Sequence, residues 1–413
     1  MKRKVRGVLL GMAGVLLLAG CTKKSEISVN EEKTHLRIIH TAGDVNWQAC
    51  LEEITEKFMQ AYPEIEVELY TPGNRENRMY SEQLKILYAR EEFFDIVELR
   101  EARTLEKAGV LAEIPESVTE VLNPSFVVQG DTCKYIPMYS TSRGIIYNQD
   151  IFEQLGLSVP KTWEEFTAVC ERLKQNGYAP LAVGGKDLWH MEFWGNFLFV
   201  NYLLDEQQNV IWSKERIHEM LADFRSLSDN GYIQDQYREI SDSETVREIA
   251  VKNAAMLYTG AWILPQISGM DLDMRTGFFF PQGANGKTYV VTDTSNCWGI
   301  SKSCESDTEK YEAAEKFLRF FYSEGIYESV LGTMTAESVV KREVQAQSAL
   351  NLIEKDTGES VIYTDKTISN MEIPEGFRNN YNQILRETLW GDASIDELTE
   401  KLFSQWEDNG EKR

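Results

Sequence analysis

Residues 36–70 read LRIIHTAGDVNWQACLEEITEKFMQAYPEIEVELY, and this stretch decides the fold class. Residues 36–41 form an apolar strand candidate, and residues 47–62 then place apolar side chains at helical spacing. Pro63 ends that helix, and residues 64–70 alternate acidic and apolar side chains as a strand does. Because a helix connects the two strands, they are predicted to lie parallel in one sheet.

The same alternation of strands and helices continues along the chain. A helix is predicted around residues 80–90, a third strand over 93–99, and two extended segments over 135–139 and 144–148. Strands that alternate with helices indicate an α/β fold. Further helices are predicted over residues 149–156 and 311–321, and two more begin at the capping residues Thr162 and Ser394. Further strands are predicted over residues 181–183 and 254–258.

Size and charge limit the domain organisation and the partners. The chain has 413 residues with 42% hydrophobic content, which exceeds what one hydrophobic core usually holds, so two lobes are expected. The formal net charge is -23, and an acidic surface of this kind disfavours nucleic acid and anionic lipid as partners.

The start of the chain has the features of a secretory signal, which we assign to residues 1–20. Four basic residues precede an apolar run over residues 8–19, which is too short to span a bilayer. Residues 18–21, Leu-Ala-Gly-Cys, resemble the lipobox of bacterial lipoproteins, which implies cleavage after Gly20 and acylation of the Cys21 thiol. The alternative is an ordinary secretory signal with a chance cysteine. Residues 21–35 are expected to form a flexible, lipid-anchored tether.

The remaining cysteines and the histidines do not indicate a disulfide framework, a metal site or a cofactor. Five cysteines remain beside Cys21, and none has CxxC spacing, although Cys297 and Cys304 could pair. The four histidines show no HExxH arrangement, so a zinc site is not expected. The GxSxG and GxxxxGK(S/T) motifs are also absent from the sequence, and no cofactor or catalytic residue is predicted.

Several segments, in this order along the chain, resemble family 1 extracellular solute-binding proteins of bacterial ABC importers. The longest run lies within residues 135–186 and contains YIPMY, GIIYN, PKTWEEF and PLAVGGK. Shorter matches are DIV at residues 95–97, AAM at 254–256 with GAW at 260–262, and WGIS at 298–301. The resemblance covers nearly the whole mature chain, and the lipobox agrees with it.

The resemblance implies a periplasmic-binding-protein-like (type II) fold, in which two α/β lobes hinge around an interlobe cleft. Lobe one takes residues 36–140 and 299–340, and lobe two takes residues 141–298 and 341–413. A ligand favours the closed form because it touches both lobes.

The implied function is the capture of a sugar or oligosaccharide and its delivery to the transmembrane subunits of an ABC permease, without enzyme activity. The resemblance also implies a monomer that is lipid-anchored to the outer face of the cytoplasmic membrane. The extracellular side of a Gram-positive cell is the expected location.

Aromatic side chains are the first candidates for a sugar site, because sugars present apolar C–H faces that flat rings can cover. Trp189 and Trp194 follow a glycine-rich loop, Trp262 follows a glycine turn, and Trp298 lies at a predicted crossing between the lobes. Each of them could instead be a core residue, since tryptophan is highly buried on average. Trp262 is favoured by its position in the family pattern.

Polar candidates come from the loops that follow strands of lobe one, because ligands of open α/β sheets bind at those ends. Asp44 and Asn46 follow the first strand, and Glu98, Arg100 and Glu101 follow the third. Each charged residue could instead be a solvated loop residue. The expected ligand-binding set is Asp44, Trp47, Glu98, Tyr139, Trp189, Trp194, Trp262, Asn296 and Trp298.

Three rival functions remain open at this point. Glu98 with Glu101, or Glu192, could form the carboxylate pair of a glycosidase. A cleft that contains Asp44, Glu98 and Glu192 would also suit a cationic solute such as a polyamine. An adhesion lipoprotein would need neither a cleft nor a hinge.

Overall fold

The computed structural model of the chain describes residues 33–41, 45–72, 80–90, 92–100, 102–127, 132–188, 190–205, 209–280, 288–294, 296–344, 360–364 and 377–410. The predicted signal, Cys21 and most of the predicted tether lie outside these ranges. Three of the candidate site residues, Asp44, Glu101 and Trp189, also lie outside them.

Strands and helices alternate along the described chain. The strands are β1 (Thr34–Ile39), β2 (Ile65–Tyr70), β3 (Ile96–Leu99), β4 (Tyr135–Pro137), β5 (Thr141–Asn148), β6 (Ala179–Ala182), β7 (Ala254–Gly260), β8 (Thr276–Phe279), β9 (Thr288–Asp293), β10 (Cys297–Ile300) and β11 (Ser360–Thr364). The helices are α1 (Val45–Ala61), α2 (Tyr80–Ala89), α3 (Ala102–Lys107), α4 (Glu116–Thr119), α5 (Gln149–Leu155), α6 (Trp163–Gln175), α7 (His190–Tyr202), α8 (Lys214–Asp229), α9 (Asp242–Ala250), α10 (Leu264–Met270), α11 (Thr308–Phe321), α12 (Ile326–Met334), α13 (Phe377–Trp390) and α14 (Ile395–Gly410). Short 3-10 turns cover Pro124–Phe126, Ala261–Ile263 and Lys302–Ser306.

The first sheet has the strand order β2-β1-β3-β10-β4 and builds lobe one. β1 pairs in parallel with β2, with Leu36 opposite Val67, and also with β3, with Ile38 opposite Ile96. The predicted parallel unit is therefore confirmed. β10 lies antiparallel between β3 and β4, because the chain returns to this sheet from the other lobe.

The second sheet has the order β11-β9-β5-β7-β6, with β8 also paired to β5, and builds lobe two. β5 runs antiparallel to β7 and β9, while β6 runs parallel to β7. Two mixed sheets joined to many helices confirm the α/β class. The predicted extended segment at 144–148 is longer in the structure, since β5 already begins at Thr141.

Each sheet packs on helices through its own aromatic core. In lobe one, Phe58 of α1 lies 5.2 Å from Phe317 of α11, measured between ring centroids. In lobe two, the ring of Trp194 in α7 lies 4.7 Å from that of Tyr258 in β7. Because the two cores are separate, each lobe can move as a unit while its own interior stays packed.

The C-terminal helices belong to lobe two. Helices α13 and α14 pack on α8, and the Tyr381 hydroxyl of α13 donates to the carbonyl oxygen of Gly195 in α7 at 3.1 Å. The predicted cap of the last helix is confirmed, since the Ser394 and Glu397 side chains each accept the other residue's backbone N–H. Capping of this kind satisfies donors that the first helical turn leaves without a partner.

The chain passes between the lobes after β4, before β10 and after α12, and backbone hydrogen bonds tie these segments together. Met138 N donates to Asn296 O at 2.8 Å, and Ser140 and Glu337 exchange two bonds of 3.0 and 2.6 Å. β10 begins at Cys297, so Cys297 and Trp298 belong to the first sheet, whereas the predicted boundary placed them in lobe two.

The described cysteines are not joined in disulfides. Cys297 and Cys304 are therefore separate, and the Sγ of Cys297 donates to the carbonyl oxygen of Thr294 at 3.2 Å. Within the described ranges, every helix is too short or too polar to cross a bilayer.

Candidate functional site

One edge of the first sheet faces the passages between the lobes. β1 and β3 are parallel, so Thr41 and Arg100 follow them at the same edge. β10 is antiparallel to β3 and pairs Cys297 with Leu99, which places Asn296 at that edge as well. The polar residues that follow these strands therefore meet where the chain passes to lobe two.

The matching edge of the second sheet faces back toward lobe one. β5 begins at this edge with Thr141, and β7 ends there, with Gly260 opposite Arg143. β6 is parallel to β7, so the loop after Ala182 also starts at this edge. The two edges and the passages between them lie where the two-lobed fold is expected to have its interlobe cleft.

Trp262 lies between the lobes. It follows β7 in the 3-10 turn Ala261–Ile263, and its partly buried side chain packs against buried residues of lobe one and of lobe two. Its ring meets the edge of Phe193 with centroids 5.5 Å apart. A ring that contacts both lobes responds to any change in their separation.

Phe193 and Arg143 support Trp262 from the lobe-two side. The guanidinium carbon of Arg143 lies 4.6 Å above the centre of the Phe193 ring, a cation–π arrangement. Phe193 also meets the ring of His190, with centroids 5.6 Å apart, and His190 Nδ1 lies 2.6 Å from Asp242 Oδ1. Phe193 was not predicted as a site residue, because α7 carries apolar side chains on nearly all of its faces and gives no distinguishing signal.

Glu98 is fully buried behind the lobe-one edge, and its carboxylate accepts several hydrogen bonds. Oε2 accepts the Thr41 backbone N–H at 3.0 Å and the Trp47 indole N–H at 3.3 Å, and Oε1 accepts the Thr41 hydroxyl at 2.9 Å. These bonds compensate the cost of burying a charge. Glu98 is therefore an internal anchor in this conformation, whereas the sequence placed it in the ligand-binding set.

Arg100 and Tyr80 lie beside this buried carboxylate. Arg100 Nε is 3.5 Å from Glu98 Oε1, and its Nη2 donates to the Thr41 hydroxyl oxygen at 3.3 Å. The Tyr80 hydroxyl donates to the Glu98 carbonyl oxygen at 3.0 Å. Burial, reinforced by the Glu98 charge, holds the pKa of Tyr80 well above its usual range, so this hydroxyl stays protonated.

Trp47, Tyr139 and Asn296 form a connected group at the passages. Asn296 Nδ2 donates to the Tyr139 hydroxyl at 2.5 Å, and the edge of Trp47 meets the Tyr139 ring with centroids 6.2 Å apart. Trp47 and Tyr139 are each 2% exposed. Both rings are covered by protein here, so Asn296, which is half-buried, is the accessible member of the group.

Trp194 and Trp298 lie in the cores of their lobes and are fully buried. Trp194 is surrounded by Phe224 and Tyr258, and Trp298 meets Phe321 of α11 at 5.5 Å. A ring whose faces are covered by protein cannot stack on a sugar, so their positions support the core interpretation of these two tryptophans.

The acidic candidates do not assemble a metal centre in the described part of the chain. No group of three or more His, Cys, Asp or Glu side chains there is arranged to hold a metal ion. Glu98 is enclosed and already accepts three hydrogen bonds, which leaves it poorly suited to attack or protonate a substrate. Glu192 lies in the first turn of α7 and is half-buried.

Comparison with known proteins agrees with this arrangement. The family model for bacterial extracellular solute-binding proteins matches residues 46–328. The multiple sugar-binding protein of Streptococcus mutans is 24% identical over 331 residues, which are 76% of this chain and 77% of that protein.

Solved structures have the same fold over nearly the whole chain. A chitin oligosaccharide binding protein superposes with a TM-score of 0.76 at 23% identity, covering 92% of this chain and 99% of that one. A sugar transporter of Bacillus licheniformis in complex with stachyose gives a TM-score of 0.73 at 16% identity, covering 91% and 100%. From its match to the family model over most of its length, the chain belongs to the bacterial extracellular solute-binding proteins.

Proposed function

We propose that this protein captures a sugar or oligosaccharide in the interlobe cleft and delivers it to the transmembrane subunits of an ABC permease. The observation that carries the proposal is the position of Trp262, an aromatic ring held between the two lobes at the end of β7. A flat ring in a partly desolvated cleft is suited to the C–H face of a sugar.

Polar groups at the lobe-one edge complete the proposed site. Arg100 and Asn296 offer N–H donors from the lobe-one edge and the passages, and both are at least partly accessible. Sugar hydroxyls accept and donate hydrogen bonds, so such groups fix the orientation of a ligand that the ring holds. Asp44 and Trp189 stay in the proposed contact set on the strength of their sequence positions.

The family neighbours named for sugars support this substrate class. The relative from Streptococcus mutans is named a multiple sugar-binding protein, and solved neighbours were obtained with stachyose, raffinose and mannotriose. A polyamine is a weaker candidate, because Glu98, its central carboxylate, is enclosed and lies beside Arg100.

The anchoring part of the proposal rests on the sequence. We propose that Cys21 carries the lipid and holds the protein on the extracellular face of the membrane, since two or more acyl chains give stable attachment. Replacing Cys21 with alanine should move the protein from the membrane fraction into the medium. Retention of the Cys21→Ala variant in membranes would contradict this assignment.

Thermal denaturation tests the substrate class. The protein from Thr22 onward is melted with stachyose, raffinose, mannotriose, a chitin trisaccharide or spermidine. A ligand that binds only the folded state adds about 2.7 kcal/mol of stability at one hundred times its dissociation constant. We expect a clear rise in melting temperature with at least one sugar, whereas a rise with spermidine alone would overturn the carbohydrate proposal.

A further inference from the structure

Glu98 and Arg100 form a charge pair with one buried and one exposed member. Glu98 lies in β3, and Arg100 directly follows the end of that strand at Leu99. The Glu98 side chain has no solvent exposure, while that of Arg100 is 44% exposed, and Arg100 Nε lies 3.5 Å from Glu98 Oε1. The cation therefore stands between the carboxylate and the solvent of the cleft.

Three hydrogen-bond donors hold the Glu98 carboxylate in place behind the cation. The backbone N–H and hydroxyl of Thr41 and the indole N–H of Trp47 all donate to it. Because Glu98 is enclosed on this side, a ligand in the cleft meets Arg100 and does not touch Glu98.

Arg100 keeps donors for a ligand. A guanidinium has five N–H donors, and the contacts with Glu98 and Thr41 involve its Nε and Nη2. The Glu98 charge, however, cancels much of the attraction that Arg100 would exert on an anion nearby, since the two charges act on the ligand with opposite signs.

We propose that the Glu98–Arg100 pair makes the lobe-one wall of the cleft selective for uncharged sugars. Arg100 donates hydrogen bonds to sugar hydroxyls, and Glu98 acts as a positioning residue that orients the guanidinium and cancels its charge toward acidic sugars. This inference rests on the proposed carbohydrate function and specifies the charge of its substrate.

Isothermal titration with two probes tests the pair: mannotriose, which is neutral, and trigalacturonate, which is anionic. The wild-type protein should bind mannotriose more tightly than trigalacturonate. Glu98→Gln keeps the size of the side chain and removes its charge, so the ratio of trigalacturonate to mannotriose affinity should rise about tenfold. Added salt should reduce this gain, because it screens the newly uncompensated Arg100.

Two further variants separate charge from structure. Glu120→Gln makes the same change of net charge at an exposed position of lobe one and should leave the affinity ratio unchanged. In Glu98→Gln/Arg100→Gln the gain for trigalacturonate should disappear, because no uncompensated cation remains. A merely structural role of Glu98 would lower both affinities together and would not depend on Arg100.

The outcomes distinguish this inference from the function on which it rests. If no sugar binds to the folded wild-type protein or to its variants, the proposed function itself fails. If mannotriose binds and Glu98→Gln leaves the affinity ratio unchanged, or if the wild type prefers trigalacturonate, only the role of the pair is overturned.

If Glu98→Gln does not fold, the single variant Arg100→Gln tests the role of the pair instead. It leaves Glu98 uncompensated and should lower trigalacturonate affinity further than mannotriose affinity, and an equal loss of both would contradict the inference.

Discussion

The indole ring of Trp262 lies against the backbone of Gly260, so closely that a methyl group on Gly260 would come within 1.5 Å of the ring. Gly260 has φ -87 and ψ 156, which any residue can adopt, so the glycine is required by the close approach of the ring and not by the backbone conformation. The last residue of β7 and a residue of the turn that follows it thus fix the position of the ring that we propose as the sugar-stacking surface.

Replacing Gly260 with alanine should therefore displace the Trp262 ring. We expect ligand affinity to fall by about tenfold or more, because the ring loses its place in the cleft, and stability to fall by about 1–3 kcal/mol through overpacking. Titration with the sugar that raises the melting temperature measures the first effect, and denaturant unfolding measures the second.

Gly269→Ala is the matched control for this variant. A methyl group there would meet nothing within 4 Å, and Gly269 lies in α10, so alanine should be neutral or stabilising by up to about 1 kcal/mol. Wild-type affinity in Gly260→Ala would show that the ring does not contribute to binding.

Trp262→Ala should weaken ligand binding by about tenfold to a hundredfold, since a lost aromatic contact costs about 1.5–3 kcal/mol. The fold should persist, because Trp262 packs at the border of the cores and not within one. Titration of the same sugar against the folded variant gives the measurement.

Trp212 provides the comparison for Trp262. It stacks on Trp406 at 4.4 Å in the packing of α14, away from the cleft edges. Trp212→Ala should lower the melting temperature and leave affinity unchanged, the opposite pattern to Trp262→Ala. An unchanged affinity in both variants would remove Trp262 from the site.

Thr41→Val should destabilise lobe one. The Thr41 hydroxyl donates to the buried Glu98 carboxylate at 2.9 Å, and valine fills the same space without this donor. Leaving a buried charged acceptor without one of its donors costs about 1–3 kcal/mol. Thr41→Ser retains the hydroxyl, so its free energy of unfolding, measured with denaturant, should be much closer to that of the wild type. Equal losses of stability in the two variants would argue against a contribution from this hydrogen bond.

Alkaline pH should destabilise the protein through its buried thiols. Burial, and next the Asp95 carboxylate, raise the pKa of Cys304 from 9.0 to about 12. Between these values the unfolded chain has released the proton and the folded chain still holds it. The stability contribution is thus complete below pH 9 and is lost as the pH rises, by up to about 1.4 kcal/mol per pH unit.

Cys304→Ala should make the fall of stability above pH 9 shallower. Melting temperatures of wild type and variant across this window measure the difference, and Cys133→Ala, which removes a half-buried thiol of the same lobe, is the control. Parallel curves for Cys304→Ala and the wild type would mean that other groups, such as the buried tyrosines, dominate the alkaline transition.

The α/β class, the parallel β1–α1–β2 unit and the cap of α14 were predictable from the sequence. All three depend on local pattern: the period of apolar residues distinguishes strands from helices, and capping side chains act on a backbone a few residues away. The ordered segments between residues 135 and 186 also led to the correct family, whose model matches residues 46–328.

Which of the candidate residues are accessible to a ligand could be decided only from the tertiary structure. Glu98, Trp194 and Trp298 have residue types that are typical of ligand contacts, yet all three are fully buried. The sequence period shows which side chains share a face of one element, but burial depends on what packs over that face from distant parts of the chain. Trp298, for example, is covered by Phe321 of α11.

The sequence by itself determined that two α/β lobes would be built and that Trp262 would follow a glycine at the end of a strand. Only the tertiary structure decided that this ring stands between the lobes, supported by Phe193, and that Glu98 lies behind Arg100. The physical reason is that secondary structure follows from interactions between near neighbours, while solvent exposure and charge compensation follow from contacts between residues far apart in the chain.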